Sequence, residues 1–272
     1  MKLSIVLSTQ TAQFNAVAFK GDFEVNVARI AGWGYDGVEL AIRDPRLVDG
    51  AALLDTLARY GLVAPAIGTG QAWGEEGLSF TDPDPAVRER AIQRIVDHVP
   101  FAAQADALII IGLLRGLVKP GVDHEQAMAW LVEALQRTSE AAAPHGVRLC
   151  LEPINRYETT LINTVAQGLD LIERVGADNF GLLADTFHMN IEEPHIEESL
   201  RRAGNRIFHV HVADSNRWYP GAGHVDFAGV VRTLHEIGYD GWLSAEIMPE
   251  PDPDTAAQRT IAHLRRICEC TN

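Results

Sequence analysis

Glu152, Asp185, His211 and Glu246 stand in or just beyond four successive short apolar runs of this 272-residue chain. Glu152 follows Val147–Leu151 and precedes Pro153, and Asp185 follows Gly181–Ala184. His211 and Glu246 come late in the runs Ile207–Val212 and Trp242–Ile247. An unpaired carboxylate on such a run is costly to bury. Three carboxylates and an imidazole facing one another repel unless a cation stands between them. One divalent ion per subunit satisfies the set. An oxygen-rich group with a single nitrogen suits Mn2+ first, with Mg2+ or Co2+ as alternatives, better than a thiolate-seeking zinc. A single acid at such a place is ordinarily a helix N-cap or a surface charge. Four in consecutive runs are harder to dismiss. His209 and His211 alternate with valine, so period 2 puts both on one strand face. His211 takes the ligand role because it lies nearer the end of the run, and Glu39 sits in a further run, Gly37–Ala41.

The elements that must position these groups repeat along the whole chain. Apolar runs at 3–7, 37–41, 63–67, 107–111, 147–151, 181–184, 207–212 and 242–247 read as strands. Amphipathic stretches at 24–31, 51–60, 86–103, 124–143, 165–175, 191–203, 227–237 and 255–267 read as helices. Asp123 and Asp226 stand where N-caps belong, and Gly61, Gly146, Gly176 and Gly238 close helices. Eight strand–helix units of about 34 residues, with no dividing linker, predict one (β/α)8 TIM barrel over residues 1–272. Its active site belongs at the C-terminal ends of the strands, where the four residues lie. Ser8-Thr9-Gln10-Thr11 offers no dinucleotide-binding glycine and no Gly-Lys-Ser/Thr occurs, so nucleotide binding drops out. A net charge of −14 argues against nucleic acid. Three cysteines predict a reducing compartment, and no apolar run reaches the roughly 20 residues of a membrane span, so the expected location is cytoplasmic. Histidines 98, 124, 145, 195, 235 and 263 fall in or beside helical patterns and read as surface residues.

The loops beyond the strand ends carry a pattern that resembles a known family. Glu152-Pro153-Ile154-Asn155-Arg156-Tyr157-Glu158-Thr159, Ala184-Asp185-Thr186-Phe187-His188-Met189-Asn190, His209-Val210-His211-Val212-Ala213-Asp214-Ser215-Asn216-Arg217 and Gly221-Ala222-Gly223-His224-Val225-Asp226-Phe227 are together similar to the ketose 3-epimerases related to D-tagatose 3-epimerase, of the xylose-isomerase-like barrel superfamily. Segments such as Ile42-Arg43-Asp44-Pro45 and Gly68-Thr69-Gly70-Gln71 look most like the 5-keto-L-gluconate epimerase branch. The resemblance implies that Glu152, Asp185, His211 and Glu246 bind one metal. It also implies that Glu158, His188 and Arg217 hold a sugar around its carbonyl and first hydroxyls, in a homodimer or homotetramer.

The chemistry fits that implication. Inverting a carbon beside a ketone requires removing a weakly acidic proton and returning one to the opposite face, through an enediolate that a Lewis acid stabilises. Glu152 and Glu246, on different strands, are the candidate acid–base pair. An aldose–ketose or hydroxypyruvate isomerase on the same barrel is the alternative. Arg43, Arg115 and Lys119 are candidates to meet the carboxylate of a keto-hexonate, and Trp73 either stacks on a sugar or packs over the barrel mouth.

Overall fold

The apolar runs pair side by side, all in parallel. The computed structural model describes residues 1–10 and 13–270, so Thr11 of the loop after the first strand lies outside it. The strands are β1 (Lys2–Ser8), β2 (Phe19–Lys20), β3 (Gly37–Ala41), β4 (Ala66–Gly68), β5 (Leu108–Ile111), β6 (Leu149–Leu151), β7 (Phe180–Asp185), β8 (Ile207–His211) and β9 (Trp242–Ala245). β1 pairs with β3 and, through Lys2↔Trp242 to Ile5↔Ala245, with β9, which closes β1 and β3–β9 into an eight-stranded (β/α)8 barrel. The short β2 was not anticipated. It pairs with the C-terminal end of β1 (Leu7↔Phe19, Ser8↔Lys20) and so ties the following loop to the barrel mouth.

Helix ends follow local chemistry. Asp123 and Asp226 accept hydrogen bonds from the amides of Glu125 and Gly229, as N-caps should. Helix Val165–Val175 starts on a Thr164/Gln167 capping box and stops at Gly176, whose φ of 67° costs little without a Cβ. The single helix expected over 191–203 is instead two, Thr186–Glu192 and Ile196–Ala203. Pro194 lies between them; it has no N–H to give and disfavours the helical conformation in the residue before it. The first of these helices begins on Asp185 itself. A further short helix, Gln71–Glu76, follows β4.

Apolar side chains pack in two layers, which is why the strands are apolar on both faces. Leu40, Ile109, Ile111, Leu149, Leu151 and Leu182 face the helices. Ala66, Leu108, Ile110, Cys150 and Leu183 fill the barrel interior, with Phe208 against them. That last contact depends on a bulge. Leu182 pairs with Ile207, but Leu183 pairs with His209, so Phe208 is surplus to the ladder. The extra residue changes the parity of β8 and brings His209 and His211 to the inner face. Gly181 makes room for it, since a Cβ there would lie 2.7 Å from the Phe208 ring.

One histidine departs from its expected surface position. His98 is wholly buried within helix Pro85–Ala105, and burial pushes its imidazole down to about 3.

Candidate metal centre

Glu152 immediately follows β6, Asp185 ends β7, His211 ends β8 and Glu246 immediately follows β9. One ligand atom from each lies within 4.8 Å of all the others. The Nδ1 atom of His211 is 3.7 Å from Glu152 Oε1, from Asp185 Oδ2 and from Glu246 Oε2. Glu152 Oε1, Asp185 Oδ2 and His211 Nδ1 are buried with no hydrogen-bond partner among the described residues. Buried polar atoms are rarely left in that condition. Three orphaned ligand atoms converging on one point, with the carboxylate of Glu246 alongside, fit a dication.

Each side chain is aimed by its other end. Asp185 spends Oδ1 on the amide of Phe187 at 2.8 Å, capping helix Thr186–Glu192, and this leaves Oδ2 to the cluster. Glu39, fully buried on β3, accepts from His211 Nε2 at 3.0 Å and from His209 Nε2 at 2.8 Å. Burial opposes a charge on Glu39, but the two imidazoles hold its carboxyl far below the usual carboxylate range. With Nε2 committed, His211 offers Nδ1 to the site, the usual arrangement behind a metal-bound histidine. Glu39, His209 and His211 also stand close enough to be a second metal cluster. Their separations are those of hydrogen bonds, which satisfy both Glu39 oxygens and both Nε2 atoms, while His209 Nδ1 is left without a partner among the described residues. Glu39→Gln is therefore expected to weaken Mn2+ binding about 10–100-fold with the four candidate ligands intact. Calorimetric titration measures this, and undiminished affinity would contradict the orienting role.

The three residues expected at the substrate meet in the same place. Arg217, in the loop after β8, donates to the Glu246 carboxylate, lies 3.3 Å from Asp185 Oδ2, and stacks 4.6 Å over the Phe187 ring. His188 sits in helix Thr186–Glu192 with Nε2 3.5 Å from Glu152 Oε1. Burial pushes the His188 imidazole down to about 3, so it is neutral near pH 7. Glu158 lies exposed in the loop after β6, and its Oε1 accepts from the side-chain amide of Asn155 at 2.7 Å.

All three line one cavity of about 590 Å3 together with Glu152, His211 and Glu246. The rest of its wall is largely apolar, with Phe14, Val17, Trp73, Leu113, Phe187 and Met248. Trp73 thus stands at the cavity. Among the described lining residues Arg217 is the only lysine or arginine. Arg43 pairs with Glu76 at 3.3 Å and Lys119 pairs with Asp82. Arg115 is fully buried and donates to the carbonyl oxygens of Gly112, Leu161, Ile162 and Glu152, so it clamps the backbone beneath the site. None of the three cations offered for a carboxylate reaches the cavity.

Residues 27–267 match the sequence profile of the xylose isomerase-like TIM barrel family. The chain belongs to that family. Within the xylose isomerase-like barrels it is 34% identical over 259 residues to an L-ribulose 3-epimerase of Methylomonas sp., covering 93% of this chain and 90% of that protein. It is 30% identical over 234 residues to a D-psicose 3-epimerase of Ruminiclostridium cellulolyticum, covering 84% and 79%. Among solved structures, a D-allulose 3-epimerase from Methylomonas sp. superposes with a TM-score of 0.84 at 28% identity, over 98% of both chains. The homologues are ketose 3-epimerases, and the four-residue cluster at the barrel mouth fits a metal-dependent epimerase. The isomerase alternative is not favoured.

Proposed function

We propose that this protein inverts C3 of a neutral ketose, holding one divalent cation, Mn2+ by preference, between Glu152, Asp185, His211 and Glu246. The observation that carries the reading is the convergence of Glu152 Oε1, Asp185 Oδ2 and His211 Nδ1, buried and unsatisfied, beside Glu246. A dication bound there supplies Lewis acidity for the negative charge that develops on the substrate oxygens.

The chain supplies the rest. Glu152 and Glu246 stand at the two ends of the four-strand arc, one beyond β6 and the other beyond β9. One removes the C3 proton and the other returns a proton to the opposite face of the enediolate. Arg217 and His188 donate hydrogen bonds to the oxygens around the carbonyl, and Glu158 accepts one from a hydroxyl. The apolar wall shelters the reaction from water.

A neutral sugar is favoured because an anionic end would meet that wall without a free cation. Turnover in D2O is expected to place deuterium at C3 of D-fructose, D-psicose or D-tagatose, at rates well above those for a keto-hexonate. Label confined to C1 or C2 would identify an isomerase, and preference for the keto-hexonate would reverse the substrate assignment. The same reading takes residues 1–272 as one functional unit, in a cytoplasmic homodimer or homotetramer. No described helix is long and apolar enough to cross a membrane.

A further inference from the structure

Arg217 stands on strained backbone: its φ is 64°, in the left-handed region where a Cβ is disfavoured. The turn that carries it, in the loop after β8, is closed twice. The Arg217 amide donates to the Asp214 carbonyl at 2.8 Å, and the Asp214 amide donates to the Trp218 carbonyl at 3.0 Å. A three-residue loop of this shape ordinarily puts glycine at its left-handed position. Something beyond the turn must therefore hold the arginine there. Asp214 is fully buried, and its carboxylate gathers backbone donors. Oδ1 accepts from the amides of Ser215 at 2.7 Å and Val225 at 3.1 Å, and Oδ2 accepts from that of Gly221 at 2.8 Å. Both ends of the loop are thus drawn onto one side chain. Gly223 lets them approach, since a Cβ there would collide with Asp214 Oδ1 and Ser215 Oγ. The Arg217 carbonyl in turn accepts from the amide of Met248 at 2.9 Å, two residues beyond Glu246.

We propose that Asp214 is a positioning residue that acts through Arg217: its carboxylate winds residues 215–225 about itself and so keeps the arginine left-handed, with the guanidinium held in the site. There the guanidinium lies 3.3 Å from Asp185 Oδ2, donates to Glu246 and stacks over the Phe187 ring. A backbone free to relax at residue 217 would swing that long side chain away from the two carboxylates. Asp214 takes no part in the proton transfers. Its consequence for catalysis rests on the ketose 3-epimerase reading; its hold on the loop does not.

The test is a double-mutant cycle on a ketohexose, paired with crystal structures of the variants. Asp214→Asn sets a side-chain NH2 against backbone N–H groups. It is expected to lower kcat/KM about 100-fold, the cost of a catalytic group displaced by about 1 Å. In an Arg217→Ala background the same change is expected to cost less than about twofold, since no guanidinium remains to be misplaced. Losses that multiply show Asp214 acting independently of the arginine, and overturn the proposal. Gly223→Ala, which displaces the carboxylate without altering charge, is expected to reproduce both results. The structure of either variant should show Arg217 outside the left-handed region and its guanidinium withdrawn from Asp185. Arg217 unmoved in both overturns the proposal. So does failure of both variants to fold, which would make Asp214 a stability residue only. Should wild type turn over no ketose while the variant structures show the displaced arginine, the functional reading falls and the role of Asp214 in setting the loop stands.

Discussion

Glu152→Gln and Glu246→Gln are each expected to abolish C3 epimerisation, with kcat falling by about 10²–10⁴-fold or more, the contribution usual for a positioned general acid or base. The amide keeps the shape of the side chain and removes its ability to take up a proton. Stereochemical inversion uses one group on each face, so neither carboxylate can replace the other. The two variants should therefore be similarly inactive, and the double variant little worse than either single one. Metal binding should survive in part, because three of the four candidate donors remain and His211 keeps its Glu39 partner. Steady-state kinetics on a ketohexose, paired with calorimetric titration of Mn2+, separates the two effects. Wild-type turnover by either variant would refute the two-base assignment.

Chelator-stripped protein is expected to be inactive and to recover on addition of Mn2+, with uptake that strengthens as pH rises. In the metal-free protein burial lifts the Glu246 carboxyl from 4.5 to about 8, outweighing the pull of Arg217 and His211, and it also raises that of Glu152. Burial works against a charge on His211, but Glu39, Glu246 and their neighbours leave it raised well above 6.5. These protons must leave before a cation can enter, so binding releases protons and weakens as pH falls below about 8.

The stability of the metal-free protein should run the other way. Below 6.5 the buried neutral imidazoles of His98 and His188, held down to about 3, make stability rise with pH, but between 6.5 and about 8 the folded state holds a Glu246 proton that the unfolded chain has lost, so stability falls as pH rises through that window. His211, whose folded pKa is also raised, adds to the same trend. Saturating metal reverses the slope and contributes about 2.7 kcal/mol at a hundredfold excess over Kd. Thermal unfolding at several pH values, with and without Mn2+, reads both slopes. A metal-free protein that grows more stable from pH 7 to pH 8, or that works at full rate after stripping, would remove the metal site from the account.

Much of this arrangement is legible in the linear sequence because it depends on local rules. Apolar runs became strands on the strength of period and length, and the four site residues were visible because they interrupt or end those runs. Asp185 shows why a mundane reading and a functional one need not compete: one oxygen caps the next helix and the other faces the cluster. What stayed hidden depends on partners far apart in the chain. Glu39 meets His209 and His211 across 170 and 172 residues, and nothing near any of them announces it. Arg115 looked like a loop cation available to substrate, and only the folded chain brings the carbonyls of Leu161 and Ile162 to it. The break at Pro194 was the exception: the signal was present, and the amphipathic pattern across it outweighed it.

The surplus Phe208 limits how this barrel can be rebuilt. A strand grafted in place of β8 from a barrel with an uninterrupted ladder would keep the same alternation of side chains, yet it would arrive inside out. Its imidazoles would be driven against the surrounding helices, and valines would take their place in the lumen. Chimeras joined upstream of Leu183 must carry the irregularity and the accommodating Gly181 together, as one inheritable pair.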